Sequence, residues 1–340
     1  MTTTPDRPLD VSIMITTRNR VSELVKTLER CRTLTGIDTE VLVVDDTSTD
    51  GTYEVVCQQF PEVAIVRNAV NKGSIASRND ILRRARGRYI VCLDDDSRFI
   101  ENDACARIVA RMDGEPDIGI ISFQVIGPEN PATLAPAGQV SGEWHCSSFA
   151  CCGAAIRRSM LEKTGLLPEI YFHGYEEPDL ALRAWDSGCR VVQWNEIIVY
   201  HEFSSLNRNE RRVHQRHARN EAISVVMRYP GPWVVPALLG KLAGQARYAA
   251  RRGWLLTEPR VWGEFLWHLP RAVRERKSVR RESVKIAVGL NRRKCVDPAE
   301  AWRLGSLSWR EVLREDALRA SRPVEPEPVA ISASTGNGSR

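Results

Sequence analysis

The sequence predicts an α/β chain, with a doubly wound and largely parallel sheet in its first two thirds and a helical, basic extension after it. Three observations carry this. Short apolar runs alternate with amphipathic stretches from Val11 to Leu93, the rhythm of consecutive βαβ units. The run Tyr89-Ile90-Val91-Cys92-Leu93 then stops at three consecutive carboxylates, Asp94-Asp95-Asp96, and open α/β sheets bind their ligands beyond the carboxyl ends of the strands. Finally, the net charge of +5 is unevenly placed: Leu206 to Lys294 holds twenty-one basic and six acidic side chains, an excess of fifteen. A near-neutral or acidic unit therefore precedes a basic one.

The elements follow in order. Val11 to Thr16 reads as the first strand and Val21 to Cys31 as a helix; Glu40 to Val44 is the second strand and Gly51 to Phe60 a helix. Val63 to Val66 is a third strand, and Ser74 to Ala85 a third helix that Gly87 stops. Tyr89 to Leu93 delivers the carboxylates, and further strands are expected at Ile118 to Val125 and Arg190 to Gln193. After His201 the pattern turns helical, and Ser321 to Arg340, rich in Pro, Glu, Ser and Gly without apolar periodicity, reads as a disordered tail. The expected organisation is a flexible N-terminus over 1–8, an α/β domain over 9–204, the basic helical extension over 205–320 and the tail over 321–340.

A chain of 340 residues is long enough for one α/β core plus such an appendage. Nine cysteines are an odd number without metal-ligand spacing, and Cys57 and Cys92 fall in apolar runs, so reduced, buried thiols and a cytoplasmic location are expected. Met1 to Asp6 has no basic region leading into an apolar core, and no apolar stretch reaches the roughly 18 residues of a spanning helix.

The residues leaving the first, second and fourth strands are Thr16-Thr17-Arg18-Asn19, Asp45-Asp46-Thr47-Ser48-Thr49-Asp50-Gly51 and Asp94-Asp95-Asp96. The topology of a parallel sheet brings them to one crevice. Asp45 to Gly51 also fits a turn followed by a helix cap. The triplet is harder to explain without a ligand, because adjacent like charges repel unless a cation offsets them, and clustered carboxylates suit a hard divalent ion.

The segments Ser12 to Asn19, Val43 to Thr52 and Tyr89 to Asp96, taken in this order, resemble the family 2 inverting glycosyltransferases of the glycosyltransferase-A fold, rhamnosyltransferase-like members among them. The resemblance runs from about Val11 to His201. It implies that Thr16 and Asp46 contact the nucleobase, that Arg18 and Arg78 serve the donor, and that Asp95 meets the ribose. Asp96, with Asp94 on the same side of an extended segment, is implied to hold Mg2+ or Mn2+ on the donor diphosphate, and His201 to complete the metal shell. Gly174 to Arg183 resembles the family's acidic pair before a helix, with Glu177 as general base, although the family more often has Asp there. Acids in a first helical turn and Pro178 at the first helical position also favour the helix on their own. Asp179 and Arg183 have the i,i+4 spacing of an ion pair. Ser148 to Arg157 resembles the small-residue segment of the sugar pocket, and Glu176 and Trp144 are candidates for the acceptor side.

The implied reaction moves one sugar from a nucleoside diphosphate sugar to an acceptor hydroxyl. Asp46 suits the N3–H of a uracil or thymine ring, which favours UDP or dTDP. A lipid-linked saccharide, a polysaccharide precursor or a small molecule would each supply the hydroxyl. Gln215 to Asn220 does not match the Gln-x-x-Arg-Trp signature of processive members, which favours a single transfer. The basic extension fits either helices on an anionic membrane leaflet, placing the protein at the inner face of the membrane, or an arginine-coated helical cap. It lacks the aromatic interleaving and zinc spacing of common nucleic-acid readers, so no nucleic acid is expected. A nucleotidyltransferase would show an early Gly-rich phosphate loop, absent between Val11 and Arg20. A non-catalytic membrane- or nucleic-acid-binding protein would need the basic module alone.

Overall fold

The computed structural model describes residues 9–128, 142–202 and 210–313; the expected flexible N-terminus and disordered tail lie outside the described residues. The chain opens with β1 (Val11–Thr17), α1 (Val21–Arg32), β2 (Thr39–Asp45), α2 (Thr52–Gln59), β3 (Ala64–Arg67), α3 (Ser74–Arg84) and β4 (Tyr89–Asp94). Each of these lies within about one residue of its sequence-predicted ends, because strand and helix periodicities switch cleanly here. The chain continues through β5 (Ser97–Phe99), α4 (Ala104–Gly114), β6 (Ile118–Ile126), β7 (Glu143–His145), β8 (Ala154–Arg157), α5 (Arg158–Thr164), α6 (Glu176–Asp186) and β9 (Arg190–His201).

The sheet order is β3-β2-β1-β4-β8-β6-β9-β5, with β7 also paired to β9. β3, β2, β1 and β4 are parallel, and β8 is antiparallel to both β4 and β6. The chain leaves β1 toward β2 on one side and returns to β4 on the other, so the crevice opens at the carboxyl end of β1. In register, Thr16 lies opposite Val44 and Asp94, and Thr17 opposite Asp45. Period-two alternation sends Ile13 and Ile15 into one core with Leu24, Leu28 and Ile108. Met14 points to the other face, with Ile75, Ile81, Leu180 and Trp185.

Two expectations need correction. β9 runs to His201 and does not stop at Gln193; the polar Asn195-Glu196 interrupts the apolar pattern where the ladder to β6 shifts register between Phe123 and Gln124. Cys57 is exposed, although Cys92 is buried: the buried stripe of α2 is Thr52 and Val56, and position 57 falls beside it.

After His201 come α7 (Glu210–Arg228), α8 (Gly231–Arg251), α9 (Glu258–Arg274), α10 (Arg281–Leu290) and α11 (Pro298–Ser306). These helices share the sheet's core: Ala222, Ile223, Phe265, Ile286 and Leu304 belong to the same buried cluster as Met14 and Trp185. Among the described residues no helix is long and apolar enough to cross a membrane.

Candidate active site

Asp94 closes β4, and Asp95-Asp96 form the turn into β5. β5 pairs antiparallel to β9 with Ser97 opposite His201, which carries the imidazole to the carboxylates from more than a hundred residues away. Nε2 of His201 lies 3.0 Å from Oδ1 of Asp96 and 4.0 Å from Oδ2 of Asp94. Ligand atoms of Asp94, Asp96 and His201 all fall within 4.8 Å of one another. Two carboxylates and an imidazole at that spacing fit Mg2+ or Mn2+. Arg20 approaches from the loop after β1, its Nη2 2.5 Å from Asp96 and its Nε 3.4 Å from Asp95. Burial works to raise the Asp96 carboxyl, but His201 and Arg20 outweigh it and hold the group below the usual carboxylate range. Burial pushes Asp95 up to about 7 against Arg20 and Thr17, and Asp94 and Asp96 add to the rise.

Beside this cluster lies a cleft of about 270 Å3 whose lining includes Thr16, Arg18, Arg20, Asp46, Asp95 and Phe172. The ends of β1 and β2 build its floor. The Thr17 hydroxyl donates to Asp95 (2.8 Å), and the Asp46 amide donates to the Thr17 carbonyl (2.9 Å). The Asp46 side chain is held by the Lys72 and Gly73 amides and by Asn68, at 2.9, 3.0 and 2.9 Å. Gly73 is required there: its φ is +81°, and a Cβ would sit 2.5 Å from the Phe172 carbonyl oxygen.

The acidic pair stands at the start of α6. The chain enters it through left-handed backbone at Gly174 (φ 80°) and Tyr175 (φ 75°), a conformation that a bulky residue adopts only where its surroundings impose it. Those surroundings come from α7: the Asn220 amide donates to the carbonyls of Tyr171, His173 and Gly174, and Arg219 donates to that of Tyr171. Glu176 is 2% exposed and ion-paired to the buried Arg78, whose other amino group meets Asp94 at 3.0 Å. Glu177 is half-buried. Burial, then the neighbouring Glu176, push its carboxyl up to about 8, with Arg78 opposing. Cys151 lies against both acids, so the small-residue segment borders the pair. Behind it, Asp179 accepts from Arg183 (2.8 Å) and Arg228 (2.7 Å), the first being the expected i,i+4 pair.

With this geometry in place, the sequence matches the family model described as glycosyl transferase family 2 over residues 12–165. Residues 12–165 form a glycosyl transferase family 2 domain. The chain is 32% identical over 91 residues to the UDP-Glc:alpha-D-GlcNAc-diphosphoundecaprenol beta-1,3-glucosyltransferase WfaP of Escherichia coli, covering 26% of this chain and 36% of that one. The match spans about a third of the length of the first curated relatives, 31–37%. Among solved structures, the mannosyltransferase PcManGT from Pyrobaculum calidifontis, in complex with GDP-Man and Mn2+, superposes with a TM-score of 0.53 at 21% identity, covering 80% of this chain and 88% of that one. S. aureus TarS 1-349 in complex with UDP-GlcNAc gives 0.56 at 16% identity over 93% of each chain. These likenesses establish the glycosyltransferase-A fold.

Within the family 2 fold, the structure gathers Thr16, Arg18, Asp46 and Asp95 at the cleft and Asp94, Asp96 and His201 beside it. Three of the candidate residues do not line this cleft. Arg78 is locked between Asp94 and Glu176 and does not line the cleft, because a buried guanidinium goes to its carboxylates. Glu176 is the buried partner of that guanidinium. Trp144 pairs across from Gln193, near the start of β9 and far from its His201 end, under the Lys294 ammonium 4.0 Å from the ring centroid. Residues not singled out include Arg20, Phe172 and Arg216. Arg20 was visible as the cation directly after Thr16-Thr17-Arg18-Asn19, whereas no local pattern marks Phe172 or Arg216.

Proposed function

We propose that this chain is an inverting, metal-dependent glycosyltransferase that moves one sugar from a nucleoside diphosphate sugar, UDP or dTDP-linked, to an acceptor hydroxyl. One observation carries the reading: a nucleoside-sized cleft abuts a cluster of Asp94, Asp96 and His201. Thr16 and Asp46 hold the base and Asp95 the ribose. Among the described residues Oδ2 of Asp46 receives only the Gly73 amide and so keeps acceptor capacity for the N3–H of a uracil or thymine ring. Asp94, Asp96 and His201 are the residues that would hold Mg2+ or Mn2+. Such an ion supplies neutralisation of the charge on the departing diphosphate.

Glu177 takes the proton from the acceptor hydroxyl. Its raised affinity for a proton makes it a stronger base than an exposed carboxylate. The Arg78 guanidinium pairs with Glu176 and opposes the rise that Glu176 imposes on Glu177. Attack from the Glu177 side, with the diphosphate leaving on the other, inverts the anomeric centre. The WfaP name specifies a UDP sugar and the TarS complex contains one, which supports the uridine side of the reading; the PcManGT complex holds GDP-Man with Mn2+, which supports the metal. All nine cysteines are free, in keeping with a reducing, cytoplasmic compartment. The outer side of the extension, where Leu256 is 94% and Trp267 84% exposed among Arg251, Arg252, Arg260 and Arg271, suits peripheral contact with an anionic leaflet.

The test is Glu177→Gln. It should bind UDP with Mn2+ as the unaltered protein does, by calorimetry, while transfer falls about 100-fold or more. Transfer retained within about tenfold would remove Glu177 from the base role.

A further inference from the structure

A cavity of about 590 Å3 lies in the helical extension, between α8, α10 and the helical segment that starts at Trp309. Its walls are mainly apolar: Trp233, Pro236, Ala237, Val284, Val288 and Trp309. It opens to solvent on one side and is far larger than the voids that packed interiors leave. It falls in the range of about 300–1,000 Å3 that holds small organic ligands. The rings of Trp233 and Trp309 stand 5.2 Å apart, and both indole N–H groups are buried with no acceptor among the described residues.

The chamber leads toward the acidic pair. A second cavity of about 250 Å3 shares Tyr229, Lys241, Val288 and Asn291 with the first, then runs past Ser147 and Ser148 to Tyr175 and Pro178. Tyr175 and Pro178 flank Glu176-Glu177 in the chain. Lys241, at the junction, is paired to Glu221 at 2.5 Å, and the Tyr175 hydroxyl donates to the same carboxylate at 3.4 Å. An apolar chamber thus opens into a hydroxyl-lined passage that ends at Tyr175 and Pro178, at the start of the helix whose first turn carries Glu177.

We infer that the acceptor is an amphiphile, with an apolar aglycone seated in the chamber and a hydroxyl-bearing head reaching along the passage to Glu177. This rests on the transferase reading for the role of the site, but the binding itself is measured without any donor. The full-length chain is titrated by calorimetry with decyl glucoside below its micelle concentration, and with methyl glucoside as control. Saturable binding is expected for the decyl compound and none for the methyl one over the same range. Ala237→Phe and Val288→Phe, which fill the chamber, should each weaken that binding tenfold or more with the melting temperature and UDP affinity unchanged. A photoreactive alkyl glucoside, its adducts mapped by mass spectrometry on the unaltered chain, needs no variant and should label α8 and residues 308–313. No saturable binding, undiminished binding by both filled variants, or adducts confined to other surfaces overturns the inference. Loss of nucleotide-sugar turnover alone would sink the transferase reading and leave the chamber result standing.

Discussion

Arg78 joins the two halves of the site, and its removal gives a prediction with a magnitude. Its side chain is 9% exposed and bridges Glu176, 2% exposed, to Asp94, 31% exposed. At 3.0 Å and an effective dielectric of about 20, the Asp94 pair alone would be worth about 5.5 kcal/mol. Solvent around Asp94 screens most of that. The Glu176 side is different, because removing one partner of a buried pair strands the other charge and costs about 3–5 kcal/mol. Arg78→Met should therefore lower the unfolding free energy by about 4 kcal/mol. Arg78→Lys should cost about half as much, since a single ammonium cannot span both carboxylates. The double variant Arg78→Met/Glu176→Gln should recover at least half of the loss, because no buried charge is left without a partner. Urea unfolding with fitted slopes reads all three. A loss under about 1 kcal/mol for Arg78→Met, or a double variant as unstable as the sum of the singles, would refute the bridge.

The remaining predictions concern protons and lipids. Burial raises Asp95 to about 7 and Glu177 to about 8, so the folded state binds protons that the unfolded state releases at lower pH. The stability tied to those protons is complete below the ordinary carboxylate range and is lost as pH rises through 7 to 8. In EDTA the melting temperature should fall between pH 6 and pH 9, and Mn2+ should shrink that fall by favouring the ionised acids; a flat profile in EDTA contradicts the assignment. Leu256→Ser with Trp267→Ser should weaken co-sedimentation with anionic vesicles by about tenfold or more, given roughly 1.5–3 kcal/mol for burying each large apolar side chain. Equal co-sedimentation would leave the extension as a cap.

The first four strands and their helices were legible because each carries an uninterrupted period, and the site loops follow from where those strands end. β5, β7 and β8 were not, being three or four residues long, too short for any period to register. The same limit hid why His201 reaches Asp96: the pairing of Ser97 with His201 is a long-range fact. That Arg78 bridges Asp94 and Glu176 was not legible either, because the pairing joins residues far apart in the chain. The stretch around Gln215 to Asn220 was informative only as a mismatch to a processive signature, yet Arg219 and Asn220 clasp the strained loop that presents Glu177. Side chain to backbone support of that kind leaves no periodic trace.

The most direct measurement is release of nucleoside diphosphate from a panel of UDP-, dTDP- and GDP-sugars, with Mn2+ or EDTA, by the unaltered chain and by Asp96→Ala. Release from a UDP- or dTDP-sugar that requires the metal and disappears in the variant is the expected result. Release that persists in EDTA or in Asp96→Ala, or no release with no thermal shift from any donor, would contradict it.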